Sequence, residues 1–192
     1  MEEIVLKSFQ ESVKAKEQFF TRKNTALVIK FAEMVVKSFK ANGKLMLMGN
    51  GGSAADSQHI AAEFINRFEI ERPPLPALAL TTDTSNLTSI GNDYSFDQVF
   101  SKQVRALGRK GDVLLGLSTS GNSANIIKAI EAARAMGIKT VVLTGKDGGK
   151  LAGAADLNIN VEATRTARIQ EVHTTICHIL CELVDHMLFH KV

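Results

Sequence analysis

The chain alternates short, largely apolar runs with longer stretches whose apolar residues recur every three or four positions. Runs at residues 44–49, 76–80, 113–118, 139–144 and 156–161 are built mostly of Val, Leu, Ile and Met and bounded by Gly, Asn, Asp or Ser. Runs of that length and texture fit strands covered on both faces. Helical spacing predicts helices over 53–67, 84–107 with a break near Gly91, 123–136 and a short one near 148–153. Two more helices precede the first strand. The first carries a narrow stripe of Val5, Phe9 and Val13, and the second carries Val28, Phe31, Val35 and Phe39 before Asn42-Gly43 closes it. The last element, from Arg165 to about His190, has a broad stripe of Ile169, Val172, Ile176, Leu180, Leu183 and Met187. Strands alternating with helices in this way predict βαβ units with right-handed crossovers, hence an α/β fold on a parallel sheet.

Two joins between a strand and a helix stand out. In "DVLLGLSTSGNSANIIKAIEAA" the strand ends in Ser118, Thr119, Ser120, Gly121, Asn122 and Ser123, and in "KLMLMGNGGSAADSQHIAAEF" the plan is repeated with Asn50, Gly51, Gly52 and Ser53. The first N–H groups of a helix lack internal partners and sit at the positive end of its dipole, so each join attracts an anion. Ser123 is also an ordinary N-cap candidate. Two such joins suggest two walls of one pocket at the carboxyl edge of the sheet. Neither has the Gly-Lys-Ser/Thr of a nucleoside-triphosphate loop, nor the dinucleotide fingerprint. Hydroxyls and amides without an obligatory lysine suit a small sugar phosphate.

Composition narrows the classes further. At 192 residues, 45% hydrophobic and 22% charged, the chain suits one domain with its own core. A net charge of +3 with interspersed charges, no Trp and one Tyr argues against nucleic-acid binding. The acidic start "MEEIVLKSF" is unlike a signal peptide and no apolar segment is long enough to span a membrane, so a cytoplasmic location is expected. Cys177 and Cys181, four apart in a helical segment, read as small core residues. The narrow stripe of the first helix is expected to leave Phe19 and Phe20 partly exposed in a monomer and to pack residues 1 to about 22 between subunits.

The stretches "GNGGSAADSQHIAAEF", "STSGNSAN", "LTGKDGGKLAG" and "RIQEVHTTICH", in this order, resemble the phosphoheptose isomerases of the sugar isomerase domain superfamily, over roughly residues 1–190. The resemblance implies a single domain over 1–192, a three-layer sandwich with a five-stranded parallel sheet, and residues 1–42 as N-terminal helices used in assembly. It also implies a homotetramer with active sites near subunit interfaces, and conversion of sedoheptulose 7-phosphate to D-glycero-D-manno-heptose 7-phosphate on the route to bacterial surface glycans. By the same resemblance, substrate contacts fall on Asn50, Gly51, Gly52, Ser53, Glu63, Asn92, Asp93, Ser118, Thr119, Ser120, Ser123 and Gln170, and zinc ligands on His59, Glu63, Gln170 and His178. Some members carry Asp where this chain has Ala167.

Spacing supports only part of that ligand set. His59 and Glu63, four apart, share one helix face, although the same spacing is common on solvated helices. Gln170 and His178 are eight apart, about 12 Å of helical rise, and glutamine is an uncommon zinc ligand. His173 between them reads as a packing or supporting residue, and His186 and His190 as surface residues. Ketose–aldose interconversion moves a proton between C1 and C2 through an enediol, which assigns Glu63 as the base at carbon and His178 as its partner at oxygen. Zinc either polarises the carbonyl or organises the site, because a carboxylate bound to zinc loses basicity. The alternative is a non-catalytic adaptor of the same superfamily that binds the replication initiator protein, which "INRFEIERPPLPALAL" and "KQVRALG" also resemble. Such an adaptor has no use for an acid–base pair.

Overall fold

The computed structural model describes residues 1–190. Two helices, α1 (Glu2–Phe19) and α2 (Arg22–Lys40), precede β1 (Leu45–Gly49), α3 (Gly52–Ile65) and β2 (Ala77–Ala79). Then come α4 (Thr84–Asp93), a 3-10 turn, α5 (Val99–Leu107), β3 (Val113–Ser118), α6 (Ala124–Ala135), β4 (Lys139–Gly145), a second 3-10 turn at Gly149–Gly153, β5 (Leu157–Val161) and α7 (Thr166–Phe189). The five strands form one parallel sheet in the order β2-β1-β3-β4-β5. The expected three-layer α/β sandwich is therefore present.

The pleat sorts the strand residues by parity. Leu45, Leu47, Leu115, Leu117, Val141, Leu143 and Ile159 face α1, α2, α3 and α7. Met46, Met48, Leu114 and Val142 face α5 and α6. β1 and β3 are buried along their whole length, which is why they read as unbroken apolar runs. The crossover through α3 passes over the first face towards β2, whereas the crossover through α6 passes over the second face towards β4. Chain direction across the sheet thus reverses between β1 and β3, and their carboxyl ends flank the crevice where open α/β sheets bind ligands.

Boundaries differ from expectation where side chains intervene. α3 ends at Ile65, two residues short of the expected end. The buried Arg72 guanidinium takes its last carbonyls, with Nη2 donating to Glu63 O (2.8 Å) and Nη1 to Phe64 O (2.7 Å). The break expected near Gly91 falls instead at Tyr94, because Gly91 sits in open space and α4 continues through it. Only Ala77–Ala79 is regular strand in β2, although Pro76 and Leu80 extend the ladder through Leu45 N to Pro76 O (2.9 Å) and Leu80 N to Leu47 O (2.8 Å). Asn42 closes α2 with φ 59°, in the left-handed region that Asn tolerates.

The first helix is anchored more firmly than its stripe implied. Phe19 is only 4% exposed, contrary to expectation, because it and Ala15 join the core beside α7. Arg165 pairs with Glu11 and Arg168 with the Ser8 carbonyl. Phe20 remains half-buried, while the expected stripe earlier in α1 is open, with Val5 68% and Phe9 67% exposed. Cys177 and Cys181 are buried free thiols, pushed up in pKa by burial, as core residues should be. His186 and His190 are exposed, as expected.

His173 ties α7 to the sheet. Its ring is fully buried, Nε2 donates to the Thr144 carbonyl of β4 (2.9 Å), and burial lowers its pKa from 6.5 to about 4. The folded protein therefore keeps this imidazole neutral at pH values where the unfolded chain protonates it. Stability from this residue is complete above pH 6.5 and falls by about 1.4 kcal/mol per pH unit between there and pH 4. Denaturant unfolding across that range should show the loss, and His173→Gln should flatten it.

Candidate active site

The two Gly/Ser joins line the crevice from opposite sides, and a reciprocal amide pair holds them together. Asn50 Nδ2 donates to Asn125 Oδ1 (3.0 Å) and Asn125 Nδ2 donates back to Asn50 Oδ1 (2.8 Å). Asn125 also accepts from its neighbour Ile126 N–H (2.9 Å), which fixes the amide at the start of α6. Sequence reasoning passed over Asn125, since an Asn in a first helical turn looks like ordinary polar filler.

The first join is shaped by close approach. Gly51 has φ 54°, and a Cβ on Gly49 would lie 2.5 Å from the Ser53 carbonyl oxygen, so the chain turns sharply and α3 starts hard against β1. In the second join Ser123 sits at the N-cap position of α6 but makes no side-chain cap. Its hydroxyl lies 2.9 Å from that of Ser118, leaving two hydroxyls together at the end of β3. Thr119 and Ser120 complete the turn half-buried. The loop after β4 props this turn up: Leu151 N donates to Gly121 O (3.0 Å) and Lys150 N to Asn122 Oδ1 (3.1 Å). That contact gives "LTGKDGGKLAG" its place in the site.

α3 and α7 supply the ionisable groups. His59 and Glu63, one turn apart, are joined by a 2.9 Å Nε2–Oε1 contact. The His178 ring meets His59 edge-on at 5.2 Å between centroids and stacks on Phe68 at 5.5 Å. Gln170, two turns before His178, reaches the first join, where its amide nitrogen is 2.6 Å from the position a Cβ on Gly52 would take. Asp56, which the sequence reading missed, lies on the same part of α3, accepts from the Thr174 hydroxyl (3.3 Å) and is held above its usual pKa by burial, against the opposing pull of Thr174, His59 and His178. Its spacing three before His59 was the available signal. Asn92 and Asp93 are exposed in the last turn of α4 and hydrogen-bonded to each other (2.9 Å), and α4 packs on α5 rather than on α3 or α7.

Two imidazoles and a carboxylate are the kinds of donor that zinc takes, with the Gln170 amide an uncommon fourth. His59 contacts both Glu63 and His178, so three of the four expected ligands already adjoin. Among the described residues no three His, Cys, Asp or Glu side chains are arranged as a metal cage, so the set fits zinc in its donor types and not in its present spacing.

The chain matches the SIS domain family over residues 8–145. It is 54% identical to the phosphoheptose isomerase of Nitratidesulfovibrio vulgaris (Hildenborough), across 98% of this chain and 90% of that one. The chain belongs to the phosphoheptose isomerase family. The structure of the Neisseria gonorrhoeae phosphoheptose isomerase superposes with a TM-score of 0.87 at 49% identity, covering 96% of this chain and 98% of the other. That of the Francisella tularensis enzyme gives 0.92 at 38% identity, covering 96% and 97%. The fold offers its free helix N-termini at the crevice between β1 and β3, where open α/β sheets bind ligands.

The amide pair makes a separable claim. Asn50→Ala or Asn125→Ala should each leave a partner amide unsatisfied, while the double variant removes both. Denaturant melts of the four proteins should give a cycle with a coupling of about 1 kcal/mol, the double costing less than the sum.

Proposed function

We propose that this protein interconverts sedoheptulose 7-phosphate and D-glycero-D-manno-heptose 7-phosphate. The observation that carries the reading is the pair of hydroxyl- and amide-lined helix starts at the carboxyl edge, reached by Gln170 of α7, the helix whose His178 adjoins His59 and, through it, Glu63 of α3. The joins take the phosphate and sugar through Asn50, Gly51, Gly52, Ser53, Ser118, Thr119, Ser120 and Ser123, where free N–H groups and hydroxyls favour an anion. Gln170, which reaches the first join, contacts the sugar, whereas Asn92 and Asp93, expected to do the same, stand exposed on α4 and are not brought to the joins within one chain. Glu63 removes the proton at carbon and returns it to the neighbouring carbon, and His178 moves the proton between the two oxygens as the enediol forms and collapses. Phe68 stacked on His178 limits the ring's rotation, which keeps its nitrogen aimed at one place.

Zinc is proposed on His59, Glu63, Gln170 and His178, and when bound it supplies a Lewis acid for a substrate carbonyl oxygen. The product would feed heptose synthesis for lipopolysaccharide or a related surface glycan, which the reading places in the cytoplasm. Among the described residues no helix is long and apolar enough to cross a membrane. The adaptor alternative leaves Glu63 and His178 without a task.

A homotetramer is proposed as well, and the open face of α1 supports association, with Ile4, Val5, Leu6, Phe9 and Val13 exposed together on a helix otherwise fixed to the body. Phe9→Asp should break the oligomer without unfolding the chain, because Phe9 touches no core. Light scattering would show the drop in mass, and an unchanged tetramer would place the interface elsewhere.

Product analysis after incubation with sedoheptulose 7-phosphate, beside fructose 6-phosphate as a control, tests the reaction. Glu63→Gln keeps the volume and removes the base, so turnover should fall roughly 100-fold or more. Ser120→Ala and Ser123→Ala should each weaken sugar-phosphate binding by about 1 kcal/mol or more. Turnover of Glu63→Gln within about tenfold of the parent would remove Glu63 from its role.

A further inference from the structure

A second cavity opens at the opposite, amino edge of the sheet, between α2 and the starts of β3 and β4. Its volume is about 500 Å³, within the range of small-molecule sites. Met34 and Ala41 of α2 and Val113 of β3 give it an apolar floor, and four lysines stand around it: Lys30 and Lys37 from α2, Lys110 from the turn before β3 and Lys139 from the start of β4. Lys139 is paired with Asp156 (3.3 Å), the one carboxylate lining the cavity among the described residues. Lys30, Lys37 and Lys110 make no ion pair among those residues. Nearby Asp112 is already taken by Lys44 (2.6 Å).

Ser38, 4% exposed, borders the cavity from α2, but its hydroxyl is closed off against Gly43, so the exposed lysines and the apolar floor are what a ligand would meet. Ammonium groups without a carboxylate partner around an apolar floor repel one another, and an anion with an apolar body relieves the repulsion and covers the floor.

We propose that this cavity binds a nucleoside diphosphate. Three uncompensated charges match the charge of a diphosphate, lysine is a point-charge phosphate binder, and the apolar floor accepts the flat base. The volume exceeds what a sugar monophosphate fills. The site lies a full strand length, roughly 15–20 Å, from the carboxyl-edge crevice, so it is separate from the proposed active site and does not depend on what that site does.

Isothermal titration of the full-length protein with ADP, inorganic pyrophosphate and adenosine tests this, with sedoheptulose 7-phosphate present at saturation to fill the crevice. ADP should bind at one site per chain, at least tenfold more tightly than pyrophosphate, and adenosine should not bind measurably. Lys37→Ala and Lys110→Ala should each weaken ADP roughly tenfold, as loss of one charge-assisted contact does. Both are surface changes that leave the core intact, and circular dichroism melts would verify this. Lys150→Ala, at the other edge of the sheet, should have no effect on ADP. Absence of ADP binding, displacement by the sugar phosphate, equal affinity for pyrophosphate, or indifference to both lysine changes would overturn the proposal, and none of these readouts uses isomerase turnover.

Discussion

The buried guanidinium of Arg72 fixes the relation between the two helices that carry the chemistry. Its Nε donates to Asp185 of α7 (2.7 Å) while its other nitrogens hold the carbonyls of Glu63 and Phe64 at the end of α3. A charge this deeply buried is costly alone, and removing one partner of such a pair typically costs about 3–5 kcal/mol. Here the pair sets how α3 and α7 sit along each other. His59 and Glu63 project from α3 and Gln170 and His178 from α7, so a shift of one helix along the other would separate the groups that the reaction needs together.

A second constraint operates on the phosphate side. The topological reversal between β1 and β3 leaves two helix starts pointing into one crevice, one from each face of the sheet. Nothing in the backbone ladder fixes the loops after those strands to each other. The Asn50–Asn125 amides do so, and because each amide both gives and accepts, only one mutual orientation satisfies the pair. The Ser118 and Ser123 hydroxyls are thereby held beside the first join rather than spent on capping α6.

The faces of α1 and α7 show the same economy of surface. α7 buries Ile169, Val172, Ile176 and Leu180 on the sheet side and presents the ligand-type residues towards α3. α1 buries only Ala15 and Phe19 near its end and leaves its earlier apolar stripe outward. Such a stripe is unfavourable in water, and the assembly proposed above would cover it with a second copy.

Periodicity in the sequence determined the order of strands and helices, the parallel sheet, the two Gly/Ser joins and the neutral core role of the cysteines, because each depends on residues close together in the chain. The resemblance of the joins and of "RIQEVHTTICH" supplied the ligand types, and spacing alone reached no further than His59 with Glu63. The tertiary structure decided the rest. Arg72 and Asp185 are 113 positions apart and Asn50 and Asn125 are 75 apart, so no local pattern announces either pair. Phe19 looked exposable from its own helix and is buried by α7, while Gly91 looked like a break and is passed through, since packing and open space, rather than propensity, settle both. The lysine-lined cavity belongs to the same class: Lys30, Lys110 and Lys139 lie on three separate elements, and only the sheet's fold brings their charges round one space.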